Sequence, residues 1–87
     1  MRNWFGVARV SGQADTDKLL PALGRAIRGA RKACGLSQEA LADAAGIDRS
    51  HMGKIERGER NVTILNVARI AAALDAHPSQ LLRDAGM

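Results

Sequence analysis

Polar side chains that could bind an anion or the edges of nucleic-acid bases lie close together in the segment 46–58, GIDRSHMGKIERG. If this segment is helical, at 100° per residue, one side collects the donors Arg49, Ser50, Lys54 and Arg57. The other side carries the apolar Met52 and Ile55, which predicts an amphipathic helix with a buried face. The segment therefore predicts a binding surface.

The donors suit different parts of a nucleic acid. Arg49 can donate two hydrogen bonds to guanine O6 and N7, which discriminates between bases by about 1–3 kcal/mol. Ser50 can contact a base or a phosphate, and Lys54 lies one turn further along. Gly53 costs about 1 kcal/mol of helix propensity, either to allow close approach to a groove floor or because it is merely tolerated. His51, at the edge of this side, is a candidate sugar-phosphate contact or an ordinary surface histidine.

The rest of the chain predicts five helices. Ser37, Asp48 and Thr63 are good N-caps. The spacing of apolar residues and the positions of Gly and Pro predict a first helix that starts between residues 18 and 21 and ends at Gly35. The same signals predict four further helices at 38–45, 49–57, 64–74 and 78–82. The segment 4–10 is the one candidate strand. We predict an all-α chain.

The second and third predicted helices form a characteristic pair. Gly46 between them can take a positive φ without steric cost. Ala42 lies where the two helices approach most closely, and Leu41 and Ala45 continue its apolar stripe. This is the pattern of a helix-turn-helix, in which the second helix enters a DNA major groove.

The segment 36–64, LSQEALADAAGIDRSHMGKIERGERNVTI, resembles the Cro/C1-type (Xre-like) helix-turn-helix family. The family's small residue falls on Ala42 and its turn glycine on Gly46. More narrowly, DRSHMGKIERGERNVTI followed by ALDAHPSQLL is similar to the controller proteins of restriction–modification systems. The resemblance implies a compact five-helix, lambda-repressor-like domain over residues 18–87, with residues 1–17 as an N-terminal extension or arm.

The resemblance also implies roles for residues outside the third helix. Gln38 would hydrogen-bond a phosphate, and Glu56 would pair with Arg31, which could also face a phosphate. The loop after the third helix would follow the DNA backbone through Arg57, Arg60 and Asn61. Such contacts set affinity and register rather than sequence choice.

Apolar residues near the end of the chain exceed what one small core can take: Ile64, Leu65, Leu81 and Leu82. We assign this surplus to an isologous homodimer interface; the alternative is that it packs the fifth helix on the monomer core. In the extension, Trp4 and Phe5 could pack on the core or a partner subunit, and Arg2 and Arg9 could contact DNA. A mobile extension is equally compatible with the sequence.

Composition narrows the classes of function. The 87 residues carry 13 Lys and Arg against 9 Asp and Glu, a net charge of +4 that suits a polyanion such as double-stranded DNA. Cys34, His51 and His77 have no spacing that suggests a metal site or a nucleophile–base pair. We expect no enzyme activity, cofactor, metal, evident small-molecule ligand or membrane span, and a soluble cytoplasmic protein.

The sequence thus predicts a transcriptional regulator that binds a palindromic operator as a homodimer, and the controller-like resemblance implies autoregulation. The alternative is an antitoxin-like protein that binds a toxin and represses its own operon.

Overall fold

The computed structural model describes Asp15 and residues 17–87, so the predictions for the segment 4–10 and for Trp4, Phe5, Arg2 and Arg9 lie outside the described residues. The described part is all-α, as predicted, with α1 Leu19–Ala33, α2 Gln38–Ala45, α3 Arg49–Glu56, α4 Ile64–Ala73 and α5 Pro78–Asp84. Helices α3 and α4 each end one residue before the predicted position, and α5 continues two residues further. None of these helices has the length and apolar character needed to cross a bilayer.

Side-chain caps fix where the short helices begin. The side chains of Ser37, Asp48 and Thr63 each accept hydrogen bonds from backbone N–H groups in the first turns of α2, α3 and α4. Each such cap stabilises a helix by about 1 kcal/mol. Gly46 ends α2 with φ 69°, and Ile47 N–H donates to the Ala42 carbonyl at 2.9 Å. The caps and the turn together set the orientation of α3 relative to α2.

The start of α1 involves a residue that was assigned to the extension. The Asp15 carboxylate accepts hydrogen bonds from the N–H groups of Leu19, at 2.8 Å, and Leu20, at 2.9 Å. Lys18, with φ 58°, lies between this carboxylate and the helix. Asp15 therefore stabilises the first turn of α1, although it precedes residue 18, where the helical domain is predicted to begin.

One apolar core joins all five helices. Helix α1 packs on α3 and α5, α2 packs on α3 and α4, and α4 packs on α5. The largest fully buried side chains are Ile27, Leu41, Met52, Ile55, Ile70 and Leu81. In α1 the side chains of Leu23 and Ile27 are buried, whereas Cys34, just beyond the helix end, is exposed.

The position of Leu81 corrects one predicted dimer-interface residue. Its side chain is 0% exposed in the monomer, because α5 lies against both α1 and α4. It therefore has no surface to offer a second chain. Leu82 is half-buried against the same core, whereas Ile64 and Leu65 remain 74% and 56% exposed.

Helices α1 and α3 approach so closely that their contact involves backbone. A Cβ at Gly24 would lie 2.4 Å from the Glu56 carbonyl oxygen and 2.7 Å from that of Ile55. Nearby, a Cβ at Gly58 would lie 2.6 Å from the Pro21 Cα. The absence of side chains at these two glycines thus lets the C-terminal end of α3 rest directly on α1.

Candidate nucleic-acid interface

The donors predicted on α3 and in the following loop lie at the surface. Arg49 and Ser50, in the first turn of α3, are exposed, and Lys54 is half-buried. The loop residues Arg60 and Asn61 are exposed as well. Met52 and Ile55 are buried on the opposite side of the helix, so the amphipathic division predicted from spacing is present.

An open depression brings several predicted residues together. It is lined by Gln38 from the first turn of α2, by three residues of α3, and by Arg57, which directly follows α3. The three residues of α3 are Arg49, Ser50 and Gly53. Backbone N–H groups at the start of a helix favour a negatively charged group, and Gln38 occupies this position in α2. The depression therefore combines two guanidinium groups, a hydroxyl, an amide and a helix N-terminus, all suited to a phosphate or a base edge.

Gly53 forms the floor of this depression. A Cβ there would lie 3.1 Å from Arg57 Nη1 and 3.2 Å from Gln38 Oε1. The missing side chain leaves room for these two side chains to come together over α3. Sequence reasoning offered close approach to DNA or mere tolerance, and the structure adds this third reason for a glycine.

A buried carboxylate joins the three helices beneath the interface. Glu56 is 7% exposed and accepts from Arg31 Nε at 2.8 Å, Arg31 Nη2 at 3.1 Å and Gln38 Nε2 at 3.0 Å. Hydrogen bonds of this kind to a charged group are stronger than neutral ones. The network ties α1, α2 and α3 together and orients Gln38 at the rim of the depression.

Arg31 is committed to this network. Its Nη1 donates to the Leu36 carbonyl at 2.9 Å, so all three guanidinium nitrogens donate within the protein. The side chain is only 11% exposed. The ion pair with Glu56 is present, and the further suggestion that Arg31 faces a phosphate does not fit this geometry.

The side chain of His51 is less accessible than the predicted sugar-phosphate contact requires. His51 is half-buried, and its Nε2 atom is buried without a hydrogen-bond partner. This nitrogen is therefore not available to a phosphate. The backbone N–H of His51 instead donates to the Asp48 cap at 3.3 Å.

Arg57 has an acidic partner that sequence reasoning missed. Its Nε donates to Glu59 Oε2 at 2.8 Å, and its Nη2 donates to Glu59 Oε1 at 3.3 Å. These hydrogen bonds hold the pKa of Glu59 below its ordinary value, with the charges of Arg57 and Lys54 adding to the effect, and they raise the pKa of Arg57. The two residues lie in a loop, where no helical spacing rule signals such a pair.

Comparison with protein families identifies the fold that this geometry represents. A family model described as "Helix-turn-helix" matches residues 27–81, which include α2, α3 and the loop after them. The chain belongs to this helix-turn-helix family. The match covers the predicted pair of helices, α4 and the first part of α5, and it confirms the resemblance drawn from the segment 36–64.

Within this family the chain is similar to control proteins. It is 39% identical over 61 residues to control protein C.SmaI of Serratia marcescens, an alignment that covers 70% of this chain and 73% of the relative. It is 43% identical over 47 residues to control protein C.BamHI of Bacillus amyloliquefaciens, covering 54% of this chain and 58% of the relative. The comparisons do not favour the antitoxin-like alternative.

Solved structures show the same architecture. The restriction–modification controller protein C.AhdI from Aeromonas hydrophila superposes with a TM-score of 0.70 at 48% identity, covering 71% of this chain and 94% of that chain. The controller protein C.Esp1396I, solved as a tetramer in complex with its natural 35 base-pair operator, superposes with a TM-score of 0.69 at 29% identity, covering 79% and 96%. The helix-turn-helix placement of α2 and α3 is thus shared with experimentally determined controller proteins.

Proposed function

We propose that this chain is a sequence-specific DNA-binding transcriptional regulator, which binds a palindromic operator as a homodimer in the cytoplasm. The observation that carries this proposal is the surface formed by α3 and the start of α2, where Arg49, Ser50 and Arg57 surround one depression beside an exposed helix N-terminus. Similar chains named control proteins, and one solved on its operator, support the same function.

Within this proposal α3 is the recognition helix. Arg49, Ser50 and Lys54 contact base edges in the major groove. The backbone contacts come from Gln38, from His51 after its ring reorients, and from the loop residues Arg57, Arg60 and Asn61. The Arg31–Glu56 pair holds the helices that carry these groups. The function requires no catalytic step and no cofactor, and residues 18–87, with the Asp15 cap, form the DNA-binding domain.

The homodimer uses exposed apolar surface at the start of α4. Ile64 and Leu65 are largely exposed there, and Leu82 contributes its exposed part. Two-fold symmetry would place the two copies of α3 about 34 Å apart, one turn of DNA, or a multiple of that distance. By analogy with controller proteins, the operator controls the regulator's own gene.

Selection of bound sequences from a random duplex pool at near-physiological salt tests the proposal. We expect a two-fold symmetric consensus, with a half-site spacing that gives the dimer geometry. No enriched sequence, together with binding that disappears as salt rises, would refute sequence-specific function and leave a generic cationic surface.

Two substitutions then separate the proposed roles. Arg49→Ala should lose about 1–3 kcal/mol of discrimination at particular base pairs. Arg60→Ala should weaken binding to all sequences alike and reduce the salt slope by about 1 for each protomer. Titration of the consensus duplex and its single-base variants measures both effects. Equal relaxation of specificity by the two variants would contradict the assignment.

A further inference from the structure

Glu59 occupies the part of Arg57 that a DNA phosphate would use. The contact is bidentate, through Nε and Nη2, and this edge of a guanidinium also matches two phosphate oxygens. Both side chains are solvent-exposed, Arg57 at 57% and Glu59 at 53%, so a duplex has free access to the pair. A phosphate and the Glu59 carboxylate therefore compete for one set of donors.

Glu59 is also distinct from the other carboxylate of the segment 49–61. Glu56 is buried and accepts hydrogen bonds from α1 and α2, whereas Glu59 faces solvent between Arg57 and Arg60. Its charge therefore lies on the surface that is proposed to follow the DNA backbone, where an unpaired carboxylate would repel phosphates. This position gives it an effect on DNA that Glu56 cannot have.

We propose that Glu59 is an internal substitute for a DNA phosphate, which holds Arg57 in the free protein and must release it when a duplex binds. The inference rests on the proposed DNA-binding function. Arg57 stays placed at the rim of the depression, with its Nη1 over Gly53, while the opposite edge of the guanidinium is neutralised. Glu59 thereby sets how strongly the protein binds DNA of any sequence.

The consequence concerns non-specific DNA above all. Non-specific binding is almost wholly electrostatic, and its salt slope is about 0.9 for each phosphate that the protein neutralises. When a phosphate binds Arg57, the Glu59 carboxylate loses its partner. Each protomer therefore neutralises one phosphate charge fewer, in net terms, than it would without Glu59. The carboxylate thus limits how much of the regulator is sequestered by DNA other than its operator.

A double-mutant cycle tests this inference. Binding of the full chain to a labelled duplex of arbitrary sequence is measured by fluorescence anisotropy over a salt series, for wild type, Glu59→Gln, Arg57→Gln and the double variant. We expect Glu59→Gln to strengthen binding and to steepen the salt slope by about 0.9 for each protomer. Its gain in affinity should then be about 3.5-fold larger per protomer at about 50 mM than at about 200 mM salt.

The Arg57→Gln background separates competition from a general charge effect. If Glu59 acts through Arg57, Glu59→Gln should change the salt slope clearly less in that background, where only the general repulsion between the carboxylate and phosphates is removed. Asp84→Asn serves as the matched control, because it also removes one exposed carboxylate. Asp84 lies in α5, outside the proposed DNA-binding surface, so this variant should leave the salt slope unchanged. Circular dichroism confirms that each variant is folded.

The outcomes separate this inference from the function on which it rests. An unchanged slope in Glu59→Gln overturns the inference, as does an equal effect with and without Arg57, or an equal effect of Asp84→Asn. Operator binding by the wild type would stand in all three cases. If the wild type binds no duplex, the proposed function itself fails and this inference fails with it.

Discussion

Adding one methyl group at Gly24 should separate α3, the proposed recognition helix, from α1. The new Cβ would lie 2.4 Å from the Glu56 carbonyl oxygen, whereas ordinary contact begins near 3.4 Å. The obstacle is backbone on both sides, so no side-chain rotation can relieve it. Helix α1 and the end of α3 would have to move apart by about 1 Å, which costs dispersion contacts along the whole interface.

Gly29 provides a control on the same helix. It is exposed, and a Cβ there would meet nothing within 4 Å. Gly29→Ala should therefore stabilise the fold by about 0.5–1 kcal/mol, since alanine has the higher helix propensity. Gly24→Ala gains the same propensity but loses about 3 kcal/mol to overpacking, a net destabilisation of about 2 kcal/mol.

Thermal unfolding followed by circular dichroism distinguishes the two variants. For a domain of this size, about 1 kcal/mol corresponds to about 4–8 °C. We expect Tm to fall by about 8–16 °C in Gly24→Ala and to rise by about 2–8 °C in Gly29→Ala. Equal shifts in the same direction would refute the close backbone contact between α1 and α3. At a temperature where both variants are folded, Gly24→Ala should also bind DNA more weakly, because the end of α3 has moved.

Two further predictions address the buried network and the dimer. Glu56→Ala leaves the Arg31 guanidinium largely buried without its partner and should destabilise the fold by about 3 kcal/mol in urea unfolding. Glu59→Ala, at a solvent-exposed pair, should leave the unfolding midpoint unchanged, and a similar loss in both variants would contradict the assigned roles. In a two-fold interface Leu65→Ser removes apolar surface from both protomers. We therefore expect the dimer dissociation constant, measured by sedimentation velocity, to rise about 30-fold. Met87→Ser, which also replaces an exposed apolar side chain, should not change dimerisation, and an unchanged dimer in Leu65→Ser would exclude this surface.

The sequence predicted the elements that depend on local spacing. Amphipathic periodicity separated the buried Met52 from the exposed Arg49, because a helix places every third or fourth residue on one side. The caps Ser37, Asp48 and Thr63 marked where helices begin, because a short polar side chain satisfies backbone donors only at that position. These features need no information about distant parts of the chain.

Contacts between helices were less accessible to sequence reasoning. The Arg31–Glu56 pair was expected only from a family resemblance, because 25 residues separate its members and local spacing carries no signal for it. The burial of Leu81 was only the alternative to the predicted interface, because an apolar residue in a short helix fits a core and an interface equally well. The sequence did not distinguish Gly24 from Gly29, because both are isolated glycines within α1 and only the approach of α3 separates them.

The sequence by itself determined five short amphipathic helices, a tight turn at Gly46 and a donor-rich side on α3, because each follows from the conformational preferences of neighbouring residues. Only the tertiary structure decided which donors are free. Packing α1 against α3 commits Arg31 to Glu56, and the loop after α3 folds back so that Glu59 engages Arg57. Local spacing does not distinguish Arg31 from Arg57, yet the first is enclosed between helices and the second remains exposed to water.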